Sequence, residues 1–307
     1  MKKRIQNRLA ESRFAFPVMI IYGLAVWLGA GTVAEGAYLQ FVFFVASTLL
    51  MMMLNNTNSL IRIYSRMVSC SFVAMTCAAT FLFSSLESCA TGMCFILFYL
   101  SLLRSYQDKR APGIAFYSFA CLGIASLFFV QILYFVPFLW ILMASNMMAL
   151  THRMFWATVL GLVMPYWFAV GYYVVTNQFD AFIDHFAELA QFEPLLQYEA
   201  LDIHRIATFG LVVLLAVIGI IHYMRNSYLD KIRTRMIFEM FITVDILSFV
   251  FIILQPQHFD NLLPIIIVNT SCLFAHYVAL TRTWLTNVTF IVMCLATLGL
   301  TIFNLMP

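Results

Sequence analysis

Three acids stand one helical turn apart in the stretch FDAFIDHFAELAQFEP, residues 179–194: Asp180, Asp184 and Glu188. At i, i+4 and i+8 they share one face of a helix, and Phe179, Phe182, Ile183, Phe186, Leu189 and Ala190 share another. Aligned carboxylates can hold a divalent cation or cradle a polar substrate through their oxygens. The same pattern describes an interfacial helix, with its phenylalanines among lipid headgroups and its acids in water. Like charges at this spacing repel mildly, while the helix dipole favours Asp180 and Asp184 in the first turns. His185 lies between the two faces and suits either role, and Pro194 ends the helix.

Other residues could do chemistry near apolar runs. Glu35, in AEGAYLQF, can act as a general base or simply occupy a tight turn beside Gly36. His258 and Asp260 stand just before Pro264 in QPQHFDNLLPIIIVNTSCLFAHYVAL, which carries Asn269, Thr270 and Ser271 further along. Such mid-span polar residues can hydrogen-bond helices to one another. Asp245 sits inside FITVDILSFVF, and an ionisable group within a span faces the bundle interior or a cavity. It reads either as part of a proton or ion path or as a buried acid bonded to a neighbouring helix. His222 and His276 stand near span ends and read as interfacial. The seven cysteines include no CxxC pair and read as small buried hydrophobes, so neither a metal site nor a cofactor is expected. Walker A, GxGxxG, HExxH and GxSxG patterns are missing from the sequence.

The elements that must position these residues follow from composition. Of the 307 residues, 63% are hydrophobic and 10% charged, against about 25% charged in soluble domains. The fold class expected is an all-α polytopic transmembrane bundle forming one domain. Eleven apolar segments cover roughly 14–33, 38–54, 67–83, 88–103, 113–131, 132–150, 154–175, 206–224, 238–254, 262–280 and 288–305. The first reads as a retained span rather than a cleaved signal peptide. The run 113–150 is split near Phe129 to Leu133. With the N-terminus cytoplasmic and the chain alternating, every Lys and Arg except Arg205 falls on the inner side. Glu35, Glu87, Asp180, Asp184, Glu188, Glu193, Glu199, Asp202 and Asp260 fall outside, and fusing 113–150 into one span would invert every later loop. The long loop 176–204, with its acidic helix, therefore faces outward. No basic run with interleaved aromatics points to nucleic acid.

Two resemblances add to this reading. LNNTNSLIRIYSR, LLRSYQDKRAPGIAFYSFACLGIASLFFVQILYFVPFLWILMA with GLVMPYWFAVGYYVV, and HFDNLLPIIIVNTSCLFAHYV together resemble a family of bacterial polytopic inner-membrane proteins, which implies no particular activity. The order of a small-residue span, a proline span, a large outer loop and an LLP span is distantly similar to the C-type membrane glycosyltransferases. That similarity implies a polyprenyl-phosphate-linked substrate, with Glu35 matching the acid of the first outer loop and His258 to Pro264 matching a late outer-edge motif. The function expected is binding or processing of a lipid-linked, glycan-type substrate at the outer face of a bacterial inner membrane. Glu35 or Asp180 would then be the base, and Asp184, His185, His258 and Asp260 would contact polar substrate groups. The alternatives are a non-catalytic membrane subunit docking a membrane or periplasmic protein through its acidic helix, and a small-solute or proton-coupled transporter centred on Asp245. Membrane lipids are partners on every reading.

Overall fold

The computed structural model describes residues 4–32, 36–192 and 201–306, and among them the fold is all helical. The α-helices are α1 (Ile5–Ala10), α2 (Ala15–Gly29), α3 (Tyr38–Asn58), α4 (Met67–Ala78), α5 (Leu86–Leu102), α6 (Pro112–Phe128) and α7 (Val136–Ser145). They continue as α8 (His152–Val175), α9 (Phe179–Ala187), α10 (Ile203–Asn226), α11 (Ile232–Leu254), α12 (Phe259–Leu280) and α13 (Trp284–Leu305). Among the described residues, seven helices are long and apolar enough to cross a membrane: those beginning at Tyr38, Leu86, His152, Ile203, Ile232, Pro256 and Trp284. Ala15–Gly29, Met67–Ala78, Pro112–Phe128 and Val130–Ser145 are apolar but shorter.

The apolar segments read from the sequence fall on these helices, with three differences. The segment 67–83 is not one helix. α4 stops at Ala78, about 18 Å long, and a 3-10 turn follows over Thr80–Ser84. The turn carries Phe83 onto Trp27, with ring centroids 4.0 Å apart and planes 8° from parallel. The run 113–150 breaks at Phe129, which is extended (φ −144°, ψ 92°), and 3-10 turns over Val130–Phe135 lead into α7. The segments flanking the run meet, because Gln107 N–H, before α6, donates to Met147 O, after α7, at 2.8 Å. Pro137 sits in the first turn of α7, where the missing N–H costs nothing. Finally, the basic tail contains α1, which the sequence reading left without structure. Gln6 Nε2 donates to Val278 O at 2.7 Å and to Thr281 Oγ1 at 2.6 Å, and Asn7 Nδ2 donates to Thr281 O at 2.8 Å.

Helix α12 is the axis of the bundle. Every residue from Leu262 to Ala279 is buried except Pro264, and α1, α4, α5, α10 and α11 pack around it. On α10, Gly219 makes close approach possible: a Cβ there would lie 2.9 Å from Leu273. The α6–α8 pair is equally tight, because a Cβ on Gly161 would lie 2.2 Å from Phe116 O. Small residues at such crossings let backbones meet and collect dispersion contacts, which hold helices together where no hydrophobic drive exists.

Hydrogen bonds define two ends. At one, Arg62 meets Leu229, Arg233 meets Asn58 and Leu103, and Asn7 meets Thr281; this is the basic end. At the other, the acidic end, Arg205 meets Asp260, Ser88 meets Asn261 and Asn304 meets Thr208.

Gly161→Ala forces α6 and α8 apart and is expected to destabilise by about 1–3 kcal/mol, as overpacking does. Thermal unfolding in detergent reads this directly. Gly210→Ala, with nothing within 4 Å of its Cβ, serves as the control and leaves the midpoint unchanged or raised.

Candidate functional site at the acidic end

Helix α8 ends in a Schellman turn. Asn177 takes the left-handed conformation (φ 54°), Gln178 N–H bonds Tyr173 O at 2.9 Å and Asn177 N–H bonds Val174 O at 3.3 Å. The turn sends the chain back across the bundle as α9. Half of the expected apolar stripe packs: Phe182, Phe186 and Leu189 are half-buried, with His185 beside them, whereas Phe179, Ile183 and Ala190 remain exposed. Phe186 lies 5.0 Å from the Tyr166 ring, and Phe182 lies 5.9 Å from Tyr173.

Two polar clips hold α9 down. His185 Nε2 donates to Ser126 O at 3.0 Å, satisfying a carbonyl that the end of α6 leaves free. The Tyr134 hydroxyl donates to Leu189 O. Ser126 also accepts from the Tyr166 hydroxyl at 2.7 Å and donates to Gly123 O at 2.9 Å, so this serine joins α6, α8 and α9. Beneath α9 runs an apolar cleft of about 400 Å³, walled by Leu133, Leu162, Tyr166 and Trp167 and roofed by Phe182 and Phe186. Asp180, Asp184 and Glu188 point away from it and are exposed.

His258 lies at the other side of the α6 terminus, its ring 5.4 Å from Phe129 and 5.7 Å from Phe251. It accepts from Gln257 Nε2 at 3.1 Å. His185 and His258 thus both border the last turn of α6, at Ser126 and Phe129. Asp260 is engaged elsewhere: Arg205 Nε and an Arg205 Nη each donate to one of its oxygens at 2.9 Å, and the guanidinium lies 5.3 Å from the Phe81 ring centroid. Glu35 and Pro194 lie outside the described residues. Among the described residues, no group of three or more His, Cys, Asp or Glu is arranged to hold a metal ion.

Asp245 is wholly buried against α12. Thr270 Oγ1 donates to its Oδ2 at 3.0 Å, and its Oδ1 has no partner. One residue earlier, Asn269 Oδ1 accepts from the Tyr99 hydroxyl at 2.8 Å. Asp245 lines none of the cavities described here.

The sequence reading missed a constellation at the basic end. His276 Nε2 bonds Asp230 Oδ2 at 2.9 Å, with both side chains buried, and Arg62 reaches Asp230 Oδ1 at 3.9 Å and donates to Leu229 O at 3.2 Å. The His222 ring packs 5.5 Å from His276. A cavity of about 430 Å³ opens beside them, lined by Asn55, Ser59, Arg62, Asp230, Lys231 and Thr234 among others. Asp230 is the only acid in the loop NSYLDKIR, between Arg225 and the basic start of α11. An acid among bases is the signal that could have marked it.

No family model, curated protein or solved structure matches this chain.

Asp230→Ala leaves the buried His276 nitrogen without an acceptor and is expected to cost about 1–3 kcal/mol. Asp230→Asn keeps an acceptor and should cost less. Equal unfolding midpoints for both variants and the wild type would show that this bond does not clamp the basic end.

Proposed function

We propose that this chain is a multi-pass protein of a bacterial inner membrane, crossing about eleven times with its N-terminus in the cytoplasm, and that it binds a lipid-linked, glycan-type substrate at the outer face. The observation that carries this reading is the apolar cleft under α9. A lipid chain suits a cleft walled by Leu162, Tyr166 and Trp167, and the roof turns three carboxylates toward water. Carboxylates accept hydrogen bonds only, and sugar hydroxyls donate them. A molecule with an apolar tail and a hydroxyl-rich head therefore has a place for each part. Asp180 and Glu35 are the candidate bases, Asp184 and His258 the candidate contacts to the head. His185 holds α9 in place through Ser126. Asp260, bound by Arg205, anchors α12 to α10 at the edge of the site.

The exposed acids also support a second reading. No ion pair forms on Asp180, Asp184 or Glu188 among the described residues, so their face is free to dock a basic partner protein. Asp245, packed and bonded to Thr270, lends no support to transport.

Mass spectrometry of lipids and proteins that co-purify with the chain tests these readings together. On the substrate reading, a lipid-linked glycan is enriched over the bulk membrane lipids. Phe182→Ala with Phe186→Ala reduces that enrichment at least several-fold, and Asp180→Asn with Asp184→Asn weakens it while sparing the fold. Lipids in bulk proportion would overturn the reading. A protein partner released by Asp180→Asn, Asp184→Asn and Glu188→Gln would favour the docking reading instead. The orientation has its own check. In a cysteine-free background, Asp184→Cys should react with an impermeant maleimide added outside the inner membrane, and Asp108→Cys should not.

A further inference from the structure

A lateral crevice of about 440 Å³ runs between α2, α4, α12 and α13 and shares no lining residue with the cleft under α9. Its walls are apolar: Val18, Met19, Met75, Phe274, Phe290 and Leu298 are among them. Toward the acidic end the Tyr22 hydroxyl bonds Thr301 Oγ1 at 2.8 Å and bridges α2 to α13, so the slot has an end. Toward the basic end its lining reaches Leu9, Ser12 and Phe14.

The surface around the slot indicates what fills it. Phe14 at the N-cap of α2, Val18, Ile21 and Leu28 on α2, and Leu285, Val292, Leu295 and Leu298 on α13, are large, apolar and exposed. These are faces that meet hydrocarbon, and a groove sunk into them is filled by an acyl chain. Charge at the mouth indicates the headgroup. Arg8 and Arg13 are exposed and flank the lining residues Leu9, Ser12 and Phe14 in sequence. Arg66 immediately precedes Met67 and stands one turn before Cys70, both of which line the slot. One Arg66 Nη is buried with no partner, although its Nε donates to the Tyr64 hydroxyl at 3.2 Å. Arg4 has an unpartnered buried Nη as well. The exposed guanidinium groups of Arg8 and Arg13 suit phosphate oxygens, which accept from them with the opposite charge.

We infer that this crevice is a binding site for one anionic phospholipid of the leaflet at the basic end, with an acyl chain between α2 and α13 and its phosphate on Arg8, Arg13 and Arg66. The site does not depend on the outer-face substrate reading. It stands if that cleft proves empty, and it falls on different variants.

The test uses the full chain in mild detergent. Phosphatidylglycerol and phosphatidylcholine with identical acyl chains are added, and bound lipid is counted by native mass spectrometry. The wild type is expected to retain one phosphatidylglycerol in preference to phosphatidylcholine. Arg8→Gln, Arg13→Gln and Arg66→Gln should each reduce the preference about five-fold at low salt. Ala74→Phe, from the α4 wall, fills the slot and should abolish retention of both lipids. Cys294→Phe fills it from α13 and guards against a folding defect in the first variant. Equal retention of the two lipids by the wild type overturns the proposal, as does a preference that survives the triple arginine substitution. Retention unchanged in both filled variants, or a second copy of the chain in place of lipid, overturns it too.

Discussion

The rest of the structure depends on the burial of α12. A helix buried along its length sets its polar groups against its own backbone, as Ser271 does in donating to Val268 O, or against neighbouring elements. Tyr99 serves Asn269 and Asp245 accepts from Thr270. Near its end, His276 reaches Asp230. These three bonds come from three different elements, α5, α11 and the loop before α11, and each fixes the rotation of α12 at one level. Five helices pack around it, and short α4 and short α1 are among them, each covering part of the axis.

Burial of the axis also divides labour between the ends. At the basic end the polar contacts are mostly side chain to backbone, and α1 and the loop before α11 are tied to the C-terminal end of α12. At the acidic end the contacts build a platform. Ser126, Tyr166 and Tyr134 hold α9 flat across the α6–α8 pair, and the roofed cleft follows from that clamp. The tight α6–α8 crossing at Gly161 therefore supports the candidate site, although no atom of Gly161 lies in it.

Much of this was legible in the residues. Helical spacing in 179–190 marked an amphipathic element, and Phe182, Phe186 and Leu189 pack on the face it named. The break near Phe129 was read from the length of the apolar run and supported by charge alternation, since the run itself carries little to stop a helix there. Other features were out of reach because they depend on pairing. Thr80–Phe83 looks like more of α4, and only the flat stack of Phe83 on Trp27 shows why the helix ends early. His276 looked interfacial because its partner is 46 residues away in sequence. Likewise Asp260 looked available to a substrate because Arg205, which takes both its oxygens, lies on a different helix.

That last pair bears on how the chain is made. Arg205 stands at the acidic end among the described residues, and Asp260 follows it by 55 residues. At about 5–20 residues per second the ribosome needs roughly 3–11 s to deliver the partner. Through that interval the acid nearest Arg205 in sequence is Asp202, at the N-cap of α10. The Arg205–Asp260 pair therefore closes only after α10, α11 and the first turn of α12 have all been made.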